Sequence, residues 1–200
     1  MKTAKIISII GHPIFHPTWM MIILLLSGIT RFTPGNDATF LTITVSMTCI
    51  LPALIILMMK KWHIISSVGM EERDDRLAPL FIMILFIYAT LRFFDKIQMF
   101  SIFSFYLTSV IVVTILAFVI TFFWKISLHA LGWGCLTASL FIMTTASVRM
   151  YLLYFIASII FSGIVAAARL KLKSHSNAQI YSGFAMGFIS VIIVFLLSAF

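Results

Sequence analysis

The sequence predicts an all-α fold: a polytopic transmembrane helical bundle of six to seven spans, forming a single integral membrane domain over residues 1–200. Three observations carry that expectation. Hydrophobic residues make up 62% of the 200, charged residues only 10%, and the mean hydropathy is +1.15, which leaves too few charges to cover a surface in water. Seven apolar runs are long enough for a helix to cross a hydrocarbon core about 30 Å thick. These runs are apolar throughout, without the period-2 alternation of a membrane barrel. A soluble enzyme and an intrinsically disordered chain are both excluded.

The runs fall at 14–32, 38–59, 77–94, 100–124, 130–148, 150–168 and 178–199. Turn chemistry or charge separates most of them, as in Thr33-Pro34-Gly35-Asn36-Asp37 and Asp95-Lys96. At the N-terminus Lys2 and Lys5 precede Ile6-Ile7-Ser8-Ile9-Ile10, but Gly11-His12-Pro13 ends that run far short of a signal-peptide core, and no small-residue cleavage site follows. Residues 1–13 are expected to be a short interfacial lead-in to the first span, kept in the mature protein. There is no sign of a soluble domain, a long linker or a low-complexity segment.

Lys and Arg number 14 against 6 Asp and Glu, a net charge of +8. The cations stand singly or in twos and threes between apolar runs, without the basic stripe that nucleic acid needs. Anionic head groups or a phosphorylated substrate are the better partners. Alternating spans sort the loops onto two faces. One face receives ten cations (Lys2, Lys5, Lys60, Lys61, Arg73, Arg76, Lys125, Arg169, Lys171, Lys173) and the other four (Arg31, Arg92, Lys96, Arg149). That count favours a cytoplasmic position for the first face, although setting aside Arg73, Arg76, Lys125 and Arg169 as site candidates leaves six against four. Cys49 and Cys135 fall inside apolar runs without metal-ligand spacing.

Three segments of the cation-rich face are too polar for idle connectors: residues 69–79 with Arg73 and Arg76, residues 125–129 with Lys125, Ser127 and His129, and residues 169–179 with Arg169, His175 and Gln179. Each ends where a helix begins, and a helix start offers unpaired N–H groups and the positive dipole end to an anion. Arg73, Arg76 and Arg169 suit phosphate oxygens, Lys125 adds a point charge, and Ser127 a hydroxyl. His129 and His175 are two spans apart and return to the same face. One imidazole can attack phosphorus while the other protonates the leaving oxygen. Gln179, four residues after His175, lies on the same helical face, where its amide oxygen can accept from one ring N–H.

Arg169-x5-His175-x3-Gln179, followed by Gly183 and Gly187, resembles the third signature of the membrane type 2 phosphatidic acid phosphatase superfamily, Ser-Arg-x5-His-x3-Asp. Lys125-Ile126-Ser127-Leu128-His129 is similar to the second signature, Pro-Ser-Gly-His, keeping the serine and histidine. Arg73-x2-Arg76-x2-Pro79 matches the first, Lys-x6-Arg-Pro, only loosely. The similarity covers about residues 60–190. It implies a multi-pass phosphatase of the cell membrane that hydrolyses a lipid or polyprenyl phosphate or diphosphate without metal or cofactor. His175 would form a phosphohistidine, His129 would act as general acid, and Arg73, Arg76, Lys125, Ser127 and Arg169 would hold phosphate. Ala168 stands in place of the motif serine and Gln179 in place of the aspartate, so the ring can be oriented but not stabilised by charge. The rival reading is a related protein that binds lipid phosphate without cleaving it.

Simpler roles are assigned elsewhere. Lys2, Lys5, Lys60, Lys61 and Lys96 read as interfacial anchors, and His12, His16 and His63 as structural. Glu71, Glu72, Asp74 and Asp75 can pair with Arg73 and Arg76 on a solvated loop. Gly132, Gly134, Gly183 and Gly187 permit close helix contact. A prenyltransferase would need a second acidic cluster besides Asp74-Asp75, and a retinal protein would need a lysine in the last span. A transporter would show polar groups at mid-span or an internal repeat.

Overall fold

A computed structural model describes residues 1–28, 36–70, 72–97 and 101–198, which hold helices and turns and no strand. In order they are α1 (Lys2–Ile10), α2 (His16–Leu26), α3 (Asp37–Val45), α4 (Leu51–Lys61), α5 (Leu77–Ile97), α6 (Ser101–Thr121), α7 (Leu128–Ala146), α8 (Val148–Lys171) and α9 (Asn177–Ser198). Among the described residues, seven stretches are long and apolar enough to cross a membrane: Lys2–Leu26, Asp37–Lys61, Asp74–Lys96, Ser101–Thr121, Leu128–Ala146, Val148–Lys171 and Asn177–Ser198. The sequence expectations for residues 29–35 (Arg31 among them), Glu71, residues 98–100 and residue 199 lie outside the described residues. The chain divides into two compact units, Met1–His16 with Ile126–Phe200, and Pro17–Lys125.

In the second unit α3 passes into α4 through a π turn, Ser46–Ile50, in which the Leu51 N–H donates to the Ser46 carbonyl. Pro52 follows directly and has no N–H for the carbonyl one turn back, so the ladder can widen there without losing a bond. Phe94 and Phe103, both fully buried, meet edge to face at 5.0 Å. The loop after α4 is tied down by its own polar groups. Asp75 accepts from the backbone N–H of Ser66 at 2.8 Å and of Ser67 at 3.2 Å, and from the Ser66 hydroxyl.

In the first unit α7 is the buried helix: 72% of its most apolar window is inside, against 17% for α8 and 28% for α9. It packs against both. The α7–α9 contact is backbone on backbone. A Cβ at Gly134 would lie 2.2 Å from the Phe184 carbonyl oxygen, and one at Gly187 would lie 2.1 Å from that of Leu131. The glycines therefore act as the sequence predicts, as points of close approach.

The N-terminus differs from expectation. Residues 1–13 are not a mere interfacial lead-in: α1 packs against α8, and the first apolar stretch begins at Lys2 rather than at residue 14. The reason is a narrow stripe of small residues, Ala4, Ser8 and Gly11, all buried and spaced four and three apart on one helical face. At Gly11 a Cβ would meet Val165 of α8 at 2.4 Å.

Gly187→Ala is expected to force α7 and α9 apart at a cost of about 1–3 kcal/mol, read as a fall in thermal midpoint in detergent. Gly163, where an added methyl group would meet nothing within 4 Å, is the control. Its change to Ala should leave the midpoint unchanged or raise it, since Ala favours a helix over Gly by about 0.5–1 kcal/mol.

Candidate functional site

The reversal from α8 to α9 explains the spacing of its polar residues. Leaving α8, the Lys173 N–H donates to the Leu170 carbonyl at 2.9 Å and the Ser174 N–H to the Arg169 carbonyl at 3.2 Å, with Lys173 left-handed at φ 53°. This is the Schellman pattern, with a lysine where glycine is usual. Entering α9, the Gln179 N–H donates to the Ser176 hydroxyl oxygen at 3.3 Å, and the Ser176 N–H to the Gln179 side-chain oxygen at 3.2 Å. Ser176-x-x-Gln179 is therefore a capping box. The same Gln179 oxygen lies 3.0 Å from Nδ1 of His175. Arg169 thus stands two residues before the end of α8, and His175 just before the next cap.

The start of α7 lies beside this turn. The Ser127 N–H donates to the Gln179 carbonyl at 3.3 Å, and a Cβ on Gly183 would lie 2.9 Å from the Ser127 carbonyl oxygen. Ser127 is fully buried, and its hydroxyl oxygen caps α7 by accepting from the Ala130 N–H at 3.4 Å. Within the first unit the two helix starts carrying His129 and His175 therefore share one end, and α8 delivers Arg169 to the same end.

Arg169 and His129 meet through α1. Arg169 Nη1 donates to the Ser8 hydroxyl oxygen at 2.8 Å, and His129 Nε2 lies 3.0 Å from the Ser8 carbonyl oxygen and 3.5 Å from its hydroxyl. His12 sets its ring edge-on to His129, with centroids 4.9 Å apart, and its Nδ1 accepts from the Ile14 N–H at 3.2 Å. His16 stands edge-on to Trp133 at 4.8 Å, and the Trp133 indole N–H donates to the Gly11 carbonyl at 3.1 Å. Gly132 makes room for this segment: a Cβ there would lie 2.7 Å from Pro13 and 3.0 Å from His16.

Of the residues expected at the site, Ser127, His129, Arg169, His175 and Gln179 belong to the first unit, and Arg73, Arg76 and Lys125 to the second. Arg73 pairs with Asp74 at 3.2 Å, and the buried Arg76 donates from Nε to the Met70 carbonyl at 3.1 Å. Sequence reading overlooked Ser8 and Trp133 and gave His12 and His16 no part in the site. The spacing of Ala4, Ser8 and Gly11 was the available signal, since small residues at four and three mark a packed helical face.

The site's charge balance is one-sided. Residues 1–16 and 126–200 contain six basic side chains (Lys2, Lys5, Arg149, Arg169, Lys171, Lys173) and no Asp or Glu. Among the described residues, the buried Nε of Arg169 has no hydrogen-bond partner. The Arg169 guanidinium therefore carries a charge that no carboxylate of its own unit balances. No group of His, Cys, Asp and Glu among the described residues has the arrangement of a metal site. No protein-family model, curated protein or solved structure matches the chain.

Trp133→Phe removes the indole N–H that donates to the Gly11 carbonyl while keeping an aromatic ring. The expected loss is about 1–3 kcal/mol for the orphaned acceptor, measured as a lower thermal midpoint together with faster proteolysis after Lys2 and Lys5.

Proposed function

We propose that the chain is a membrane-embedded, metal-independent phosphatase of the type 2 phosphatidic acid phosphatase kind. It acts on a lipid or isoprenoid phosphate or diphosphate through a phosphohistidine. The observation that carries this reading is the His175–Gln179 contact of 3.0 Å at the start of α9, on the same turn as Arg169 and beside the start of α7.

Gln179 accepts the proton of Nδ1, so attack on phosphorus falls to Nε2 of His175. A bond forms from Nε2 to phosphorus as the phosphorus–oxygen bond to the lipid breaks, and His129 protonates the departing oxygen. In the resting arrangement His129 Nε2 faces the Ser8 carbonyl, so proton delivery exchanges that carbonyl for the leaving oxygen. Water then attacks the phosphohistidine, returns a proton to His129 and releases inorganic phosphate. Arg169 balances the charge of the phosphoryl oxygens. The partner at Nδ1 of His175 is the neutral Gln179 oxygen, which orients the ring without adding charge and favours a second reading, binding of lipid phosphate without turnover.

The test is phosphate release from phosphatidate and from a polyprenyl diphosphate by purified protein in excess chelator. His175→Ala should abolish release and the acid-labile phosphoenzyme, and His129→Ala should slow release about 10²–10⁴-fold. Unchanged rates in both variants would remove these roles, and saturable binding without release would establish the second reading.

A further inference from the structure

Ser8 carries a hydroxyl proton that its surroundings do not use. Elsewhere in the helices Ser and Thr hydroxyls donate to a carbonyl three or four residues back, as Thr44 does to Phe40, Ser139 to Cys135 and Ser158 to Phe155. Ser8 makes no such bond. Its oxygen accepts from Arg169 Nη1 at 2.8 Å, and its other polar neighbour, His129 Nε2, lies 3.5 Å from the hydroxyl and closer, at 3.0 Å, to the Ser8 carbonyl. With the Nε2 hydrogen directed to that carbonyl, the nitrogen is a donor and takes no proton from Ser8. Ser8 is nonetheless buried, 7% exposed, and a buried donor is ordinarily satisfied.

Beside it are the unpartnered Nε of Arg169 and a unit without carboxylates. Arg169 Nε and the Ser8 hydroxyl are thus two neighbouring donors whose hydrogens find no acceptor among the described residues, and a tetrahedral oxyanion supplies both the acceptors and a counter-charge for the guanidinium.

We propose that Ser8 is a ligand-contacting residue: its hydroxyl donates to an oxygen of a phosphate group held by Arg169 beside His129. This rests on the phosphatase reading and deepens it, because it brings the N-terminal helix α1 into the substrate site. The phosphate group belongs either to a lipid head group or to the free inorganic ion, and the chemistry of recognition is the same.

The experiment measures binding of inorganic phosphate and, separately, of short-chain phosphatidate to the full-length protein in detergent by calorimetry. Ser8→Thr and Ser8→Val are compared, two side chains of the same shape that differ in the hydroxyl, with Ser8→Ala as a third variant. The Val and Ala proteins should bind about ten- to a hundredfold more weakly than wild type, and the Thr protein within about threefold of it, as befits a hydrogen bond to a charged group. An effect on phosphatidate alone assigns the phosphate to a lipid head group, and an effect on both ligands assigns it to the phosphate group itself. Equal affinities for Thr and Val, with wild type binding normally, overturn the role of Ser8 and leave the phosphatase reading standing. Tighter binding by Val or Ala also overturns it, making Ser8 a competitor for Arg169. No binding of either ligand by any of the proteins overturns both readings together.

Discussion

The first unit depends on the backbone-to-backbone approach of α7 and α9. Gly134 against the Phe184 carbonyl, Gly187 against Leu131 and Gly183 against Ser127 form a row of contacts that no side chain tolerates. In hydrocarbon there is no hydrophobic force between helices, and close dispersion contact must hold them. The row also sets register, because a shift along the helix would drive a Cβ into a carbonyl oxygen. With register set, the two helix starts come level, and the Ser127 N–H finds the Gln179 carbonyl.

Polar groups at that end are then arranged under strict limits. A guanidinium beside apolar helices has few partners to choose from, and this unit offers no acidic side chain. Helix α1 provides the partial answer. Its small residues let it lie against α8, and the approach brings Ser8 to Arg169 and His129 together. The Trp133 bond to Gly11 and the Gly132 recess anchor the segment that follows. The first sixteen residues are therefore part of the same polar cluster as the last turn of α8.

The turn between α8 and α9 shows how local rules produce a chemical arrangement. A Schellman ending and a capping box are both economical ways to satisfy backbone groups at helix ends. Placed back to back, they put Arg169 and His175 six positions apart on one compact turn, with Gln179 accepting from the backbone of Ser176 and facing the imidazole as well. A glutamine suits the double duty, since its oxygen serves both neighbours without adding a charge to be desolvated.

The sequence by itself pointed to a membrane, the helical class and the number of apolar stretches, because hydropathy over about 20 residues is a local quantity that lipid reads directly, but it placed the first stretch at 14–32 where the structure has Lys2–Leu26. It also singled out the His175–Gln179 pair, but not its cause: His175 precedes the Ser176 cap and lies outside α9, so the capping-box turn rather than a shared helical face brings the Gln179 oxygen to the ring. The glycine row was legible because small residues at intervals of four mark close packing. Only the tertiary structure decided that Ser8, His12, His16 and Trp133 gather around His129 and Arg169. Ser8 and Arg169 are 161 positions apart, and no periodicity links them. Gly11-His12-Pro13 looks locally like the end of a short segment, whereas packing on α7 and α8 makes it a corner of the core. The absence of acid from this unit was likewise hidden until the fold showed which residues share it, because charge balance belongs to neighbours in space.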